Sequence, residues 1–307
     1  MNAVEIRDVT KTFGKVTAVD DLSLDVPVGS VYGFIGPNGS GKTTTLRMLM
    51  NIFYPDRGSI RVLGMDAHGG SHDNIGYLPE ERGLYKKMGV REILRFYGNL
   101  KNGRNVNREV DWWLDRLGLG EWGDKKVEAL SKGMSQKVQF IAAVVSNPRL
   151  LILDEPFAGL DPVNLEVLRE AVLERQAAGT TVIFSTHDMS VAERMCDFIF
   201  MIFEGRKVLD GTLESIQADY GHDTIRLVCD SGAGALSGID GVENVRDYGQ
   251  AQELRMSRNA DPQKILAEIM SRTGVRSFEI ASPSLHDVFV RIAGPRAEEE
   301  GVEEEDA

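Results

Sequence analysis

Cysteine is nearly absent from this 307-residue chain, which holds only Cys196 and Cys229. Two residues without metal-ligand spacing exclude a zinc cluster and a disulfide framework, and both read as reduced core thiols. Long apolar runs are missing too. Stretches such as Phe198–Phe203 fall far short of the roughly 20 residues a bilayer span needs. The first residues, MNAVEIRDVT, lack the basic start and apolar core of a signal peptide, so a cytosolic chain is expected. Base is in deficit: 35 Lys and Arg stand against 47 Asp and Glu, for a net charge of −12. No basic face for nucleic acid is evident. The deficit is uneven, because residues 297–307, AEEEGVEEEDA, hold seven acids and leave −5 for residues 1–296. That end reads as a solvated, disordered tail, with an interaction tail as the alternative. His68 and His72 lie four apart, but Gly69-Gly70 between them make a loop and no third ligand is evident.

What is present is a globular composition, 42% hydrophobic and 27% charged, with length for one large domain or two ordinary ones. Val31 to Ile35 is a short buried-strand run, and Leu46, Leu49 and Phe53 recur at helical spacing. Between them, Gly36-Pro37-Asn38-Gly39-Ser40-Gly41-Lys42-Thr43, followed by Thr44, matches G-x-x-x-x-G-K-[ST] in its strand–loop–helix setting. Glycines let successive N–H groups converge on phosphates, and the new helix adds its positive end. Lys42 supplies a mobile charge for the β- and γ-phosphates of a triphosphate, and the Thr43 hydroxyl can ligate Mg²⁺.

Leu150-Leu151-Ile152-Leu153-Asp154-Glu155 reads as a buried parallel strand emptying at its C-terminal edge, where open α/β sheets bind ligands. Asp154 is placed to hold Mg²⁺ through its water shell. Glu155 is placed to polarise a water in line with the γ-phosphate.

Leu130-Ser131-Lys132-Gly133-Met134-Ser135-Gln136 has the form LSxGxxQ. On its own it is a Ser-capped helix with Met134, Val138, Ile141 and Val145 on one face. What anion such a helix start meets is not readable from the residues. Here the sequence resembles the ATP-binding subunits of ABC transporters. The motif order agrees over about residues 1–218: phosphate loop, Gly76-Tyr77-Leu78-Pro79-Glu80, LSKGMSQ, LLILDEP, Ala158-Gly159-Leu160-Asp161, then Ser185-Thr186-His187-Asp188.

The resemblance implies a P-loop NTPase, an ABC-type ATPase α/β core with an inserted helical subdomain at about 84–146. It implies ATP held between two subunits, head to tail, so that Ser131, Gly133, Gln136 and Asp161 of one face the nucleotide of the other. His187 matches the family's switch histidine beside the γ-phosphate, holding the attacking water and Glu155. Phe13, in KTFGKVTAVDDLSLDV, matches the adenine-stacking aromatic, although a core residue of an early strand is the alternative. Two positions depart from the family pattern. Ala158 stands where a serine is common, and Glu80 where a glutamine usually reaches Mg²⁺ and water. Glutamate keeps the acceptor oxygen, loses the amide donors and adds a charge. Glu80 is therefore expected in the metal shell, with Glu81 left to solvent and Leu84, Tyr85 and Met88 as the permease-gripping surface.

Beyond residue 218 the pattern changes. Alternation at Thr224–Asp230, Glu253–Ser257 and Arg276–Ile280, a helix opened by Asp261-Pro262, and a last helix capped by Ser284 predict a small α+β accessory domain over 219–296. SPSLHDVFVRIAG resembles the end of an accessory region in ABC-2-type export ATPases of the sodium-extrusion and drug-export branch. The implied function is the MgATP-hydrolysing subunit of an exporter, working as a dimer, likened to a homodimer. It would sit at the cytoplasmic face of the membrane on a separate permease. The alternative is a soluble ABC-type ATPase of translation or DNA repair, whose usual second ATP domain or long coiled coil is not visible. The transported substance lies with the permease and is not readable here.

Overall fold

Apolar runs of five or six residues become strands buried on both faces, and runs at helical spacing become the layers that cover them. In the computed structural model, residues 1–67, 72–80, 83–102, 105–220, 223–257 and 260–292 are described. His68, Glu81 and the acidic tail lie outside the described residues. The chain divides into two compact units, Met1–Thr212 and a second from Leu213 onward.

The first unit opens with the long hairpin β1 (Asn2–Phe13) and β2 (Val16–Pro27), followed by β3 (Val31–Ile35) and α1 (Lys42–Leu49). Then come β4 (Arg57–Val62), β5 (Met65–Asp66) and β6 (Ile75–Leu78). Three helices follow, α2 (Val90–Asn102), α3 (Asn107–Arg116) and α4 (Lys132–Val144). The unit closes with β7 (Leu150–Asp154), α5 (Pro162–Ala177), β8 (Thr181–Thr186), α6 (Met189–Met195), β9 (Phe198–Phe203) and β10 (Arg206–Gly211). The central sheet runs β10-β9-β3-β8-β7-β6, and all its pairings except β10–β9 are parallel. An antiparallel sheet, β2-β1-β4-β5, lies beside it.

Parallel strands covered on both faces need apolar side chains at every position, and β3, β7 and β8 are buried throughout. Their side chains alternate between two cores. Leu151, Leu153 and Phe184 pack with Val110, Trp113, Val138 and Ile141 of the helical layer. Leu150, Ile152 and Ile183 pack with Leu46 and Leu49 of α1 and with Ile6 and Leu24 of the antiparallel sheet. Cys196 and Cys229 are free, and burial pushes the Cys196 thiol up.

The second unit contains α7 (Leu213–Tyr220), β11 (Thr224–Cys229), β12 (Val242–Asp247), β13 (Gln252–Met256), α8 (Pro262–Arg272) and β14 (Val275–Ala281). A last helix covers 285–292. Its sheet is antiparallel, ordered β12-β13-β11-β14, over a core of Ile225, Leu227, Leu254, Met256, Ile265 and Ile269. Asp261 caps α8, accepting from the Gln263 N–H at 2.9 Å, and the Ser284 hydroxyl accepts from the Asp287 N–H at 3.1 Å. Two features differ from the sequence reading. The unit begins at Leu213 rather than 219. Within it, Ile216 of α7 is buried and the Gln217 amide donates to the Pro283 carbonyl at 3.0 Å. β12, VENVRD, was not foreseen, because an edge strand pairs on one side only and keeps its charges.

Phe140 is fully buried and meets Trp113 edge to face, with centroids 5.6 Å apart. Replacing it with alanine is expected to cost about 3–5 kcal/mol. Urea unfolding followed by tryptophan fluorescence checks this; a midpoint unchanged from the parent would show that the helical layer does not depend on this contact.

Candidate functional site

Four neighbouring parallel strands bring their C-terminal ends to one edge. Ile35 of β3 pairs with Thr186 of β8, Asp154 of β7 pairs with Ser185 of β8, and Leu78 of β6 pairs with Leu153 of β7. The residues that follow these ends, loop 36–41, His187, Glu155 and Glu80, therefore collect at the place where open α/β sheets take ligands.

Loop 36–41 turns β3 into α1. Gly41 precedes the helix with φ +108°, and a Cβ there would lie 2.4 Å from the Ala18 carbonyl oxygen, so no larger residue fits. No side chain caps α1. Its first N–H groups and its positive end are thus offered to an anion. Lys42 is buried, with its ammonium donating to the carbonyls of Gly36 at 2.7 Å and Pro37 at 2.9 Å. Burial holds its pKa down, while the nearby carboxylates Glu155, Asp154 and Glu80 pull it up. Ser40 is buried with its hydroxyl unpartnered. Asn38, Gly39, Gly41, Lys42, Thr43, Thr44, Glu80 and Glu155 line one pocket of about 200 Å³ with Ala18.

Behind the pocket, Asp154 is 0% exposed. Its Oδ1 accepts from the Ser185 hydroxyl at 2.6 Å and from the Thr43 hydroxyl at 3.2 Å, while Oδ2 is buried without a partner. The Glu155 N–H donates to the same Ser185 hydroxyl at 2.9 Å. Glu155 takes φ +48°, a left-handed turn that a glutamate seldom adopts. Its Oε1 lies 2.9 Å from His187 Nδ1. An ionised carboxylate only accepts, so Nδ1 carries the proton of that bond. Ser185 was quoted within its motif but given no role in the sequence reading. The only signal for it is its register opposite Asp154.

Among the described residues, no group of three or more His, Cys, Asp or Glu could hold a metal ion. The hydroxyl of Thr43 and the orphaned Asp154 oxygen instead fit a hard divalent ion that takes its remaining ligands from phosphate and water.

The four residues expected to face a second copy fall differently. Ser131 is exposed and caps α4, its hydroxyl accepting from the Met134 N–H at 3.3 Å. Gly133 follows in the first turn, where a Cβ would sit 3.3 Å from the Asn164 amide. Asp161 is exposed and caps α5 through the N–H groups of Asn164 and Val163; the Asn164 N–H, then the Asn164 side-chain amide, hold its carboxyl below the usual range. Gln136 departs from the expectation. It is 1% exposed, and its amide donates inward to the Pro156 carbonyl, so it braces the segment after Glu155 instead of facing out. Phe13 closes β1 with 43% of its surface open and is not among the pocket-lining residues.

Two family models match. The ABC transporter model covers residues 19–158, and the C-terminal domain model of DrrA1-3-like ATP-binding proteins covers 211–293. An uncharacterized ABC transporter ATP-binding protein of Bacillus subtilis is 40% identical over 291 residues, 94% of this chain and 98% of that one. Nod factor export ATP-binding protein I of a Rhizobium species is 33% identical over 306 residues, 96% of this chain and 98% of that one. Among solved structures, an ATP-binding subunit of an ABC transporter superposes with a TM-score of 0.67 at 31% identity, covering 71% of this chain and 93% of its own. A nucleotide-free ATP-binding cassette gives 0.64 at 25% identity, covering 71% and 94%. The likeness continues past the strand edge into the second unit, and the chain belongs to the ATP-binding, ATP-hydrolysing subunits of the ABC transporters, with a DrrA1-3-like C-terminal domain.

Proposed function

We propose that this chain energises an exporter: two copies close head to tail around MgATP and drive a separate membrane permease. The observation that carries this is the gathering of loop 36–41, Asp154, Glu155, His187 and Glu80 at one sheet edge, with Glu155 joined to His187 at 2.9 Å. The N–H groups of loop 36–41 and the start of α1 cradle the phosphates, and Lys42 turns its charge to the β- and γ-phosphates. Thr43 would ligate Mg²⁺ directly, and Asp154 and Glu80 would hold its water shell. Held there, the ion would supply neutralising charge for the phosphoryl oxygens. Glu155 orients the attacking water and takes its proton, and His187 keeps that carboxylate aimed. Ser131 and Gly133 at the start of α4, with Asp161 at the start of α5, complete the partner's site.

Export is supported by the exporter-named relatives, which align over nearly the whole chain. Among the described residues no helix is long and apolar enough to cross a membrane, in keeping with a permease carried on another chain. The docking surface we assign is the groove of about 510 Å³ lined by Met88, Arg91, Arg95 and Phe96. Tyr85, 59% exposed, stands edge-on to Phe96 beside it.

Three results test this reading. Glu155→Gln should bind ATP, accumulate as a dimer in size-exclusion chromatography and lose at least about 100-fold in turnover; turnover equal to the parent would remove Glu155 as the base. Glu80→Gln should shift the Mg²⁺ dependence of the ATPase rate; an identical titration would take Glu80 out of the metal shell. Purified from its own membranes, the chain should carry an integral membrane protein with it; recovery with ribosomes or DNA would overturn the transport assignment.

A further inference from the structure

Phe13 is not loosely placed, although it is exposed. Its ring meets Phe53 with centroids 5.2 Å apart and planes at 69°. The Lys11 ammonium lies over the same ring, 5.3 Å from its centroid. Lys11 is itself fixed by Asp56, Nζ to Oδ1 2.9 Å, and the other Asp56 oxygen accepts the Thr12 N–H at 2.7 Å. Phe53 is anchored in turn. Its N–H donates to the Arg47 carbonyl in the last turn of α1, at 3.3 Å, and the Arg47 guanidinium lies 5.8 Å from its ring centroid. An exposed aromatic normally samples several rotamers. Here a cation and a second ring, each tied to the fold by its own bonds, pack on Phe13 and leave 43% of its surface open.

We propose that Phe53, and Asp56 through Lys11, are positioning residues that hold Phe13 as a preset platform for the adenine base. Phe53 touches Phe13 directly and Asp56 reaches it through Lys11, and neither lines the phosphate pocket. Stacking contributes only what remains after the ring is ordered, so a ring ordered in advance binds the base more tightly. The same helix, α1, begins at the phosphate loop and ends at the carbonyl that anchors Phe53, so cradle and platform share one rigid element. The inference rests on the MgATP reading above and deepens it.

The test is calorimetric titration of the full-length chain with MgATP and with Mg-tripolyphosphate, which carries the phosphates and no base. Phe53→Ala should weaken ATP about tenfold and leave tripolyphosphate within twofold, with kcat at saturating ATP unchanged. Phe53→Tyr should restore ATP binding, and Asp56→Asn should weaken ATP two- to threefold. In a Phe13→Ala background, Phe53→Ala should cost nothing further, because its effect is carried by that ring. Equal losses for ATP and tripolyphosphate would reduce Phe53 to a structural role and overturn the proposal, as would full additivity with Phe13→Ala. If the parent chain binds ATP while Phe13→Ala is silent, the platform fails and the phosphate site stands. If the parent binds neither ligand, the MgATP reading fails and takes this inference with it.

Discussion

A single hydroxyl ties the reacting side of the site together. Ser185 donates to the Asp154 carboxylate at 2.6 Å and accepts from the Glu155 N–H at 2.9 Å, so one carboxylate and the backbone of the next hang from one atom. The bond exists because β7 and β8 run parallel with Asp154 opposite Ser185. A shift of one residue in that register would put the serine on the other face of the sheet. The fully buried aliphatic runs of both strands hold the register, with alternate residues committed to two separate cores. The core's first contribution to the chemistry is therefore to align two polar atoms at its rim.

Charge balance then decides what the pocket accepts. Lys42 shares the edge with Asp154, Glu155 and Glu80, and among the described lining residues of the pocket it is the only cation. A polyphosphate brought there bare would meet like charge from the carboxylates. The same polyphosphate carrying a divalent ion would find hard oxygen ligands on Thr43 and Asp154. The buried Asp154 oxygen without a protein partner fits this account, since such a group costs stability unless something compensates it.

Local chemistry made much of this legible. The glycines of loop 36–41, the run into Asp154 and the serine cap of α4 each carry their reason within a few residues of sequence. The helical faces through Trp113 and Ile141 were equally readable, because burial follows period. What stayed hidden depends on neighbours distant in sequence. Ser185 matters through a strand thirty residues upstream. Gln136 sits in a motif that suggested an outward role, yet its place on the inner side of α4 delivers its amide to Pro156. The start of the second unit is hard to read because α7 continues an apparently uniform segment, and its allegiance shows in buried Ile216 and the Gln217–Pro283 bond. β12 was missed for the reason edge strands generally are: half of its surface keeps the composition of a loop.

Helix α1 connects loop 36–41 to the aromatic pair Phe13–Phe53. At its start, Gly41 has no side chain because the Ala18 carbonyl occupies the space a Cβ would need, and Ala18 lies on the strand that follows Phe13 around the hairpin. At its end, the Arg47 carbonyl fixes Phe53, which meets Phe13 on the other strand of that hairpin. The β1–β2 hairpin is thus held at both ends of one short helix. Displacing the phosphate loop moves α1, and α1 cannot move without disturbing either the Gly41–Ala18 contact or the Phe53–Phe13 pair. Because packed contacts of this kind do not deform continuously, a base platform at Phe13, as proposed, would keep a fixed separation from loop 36–41, and a ligand would have to match both at once.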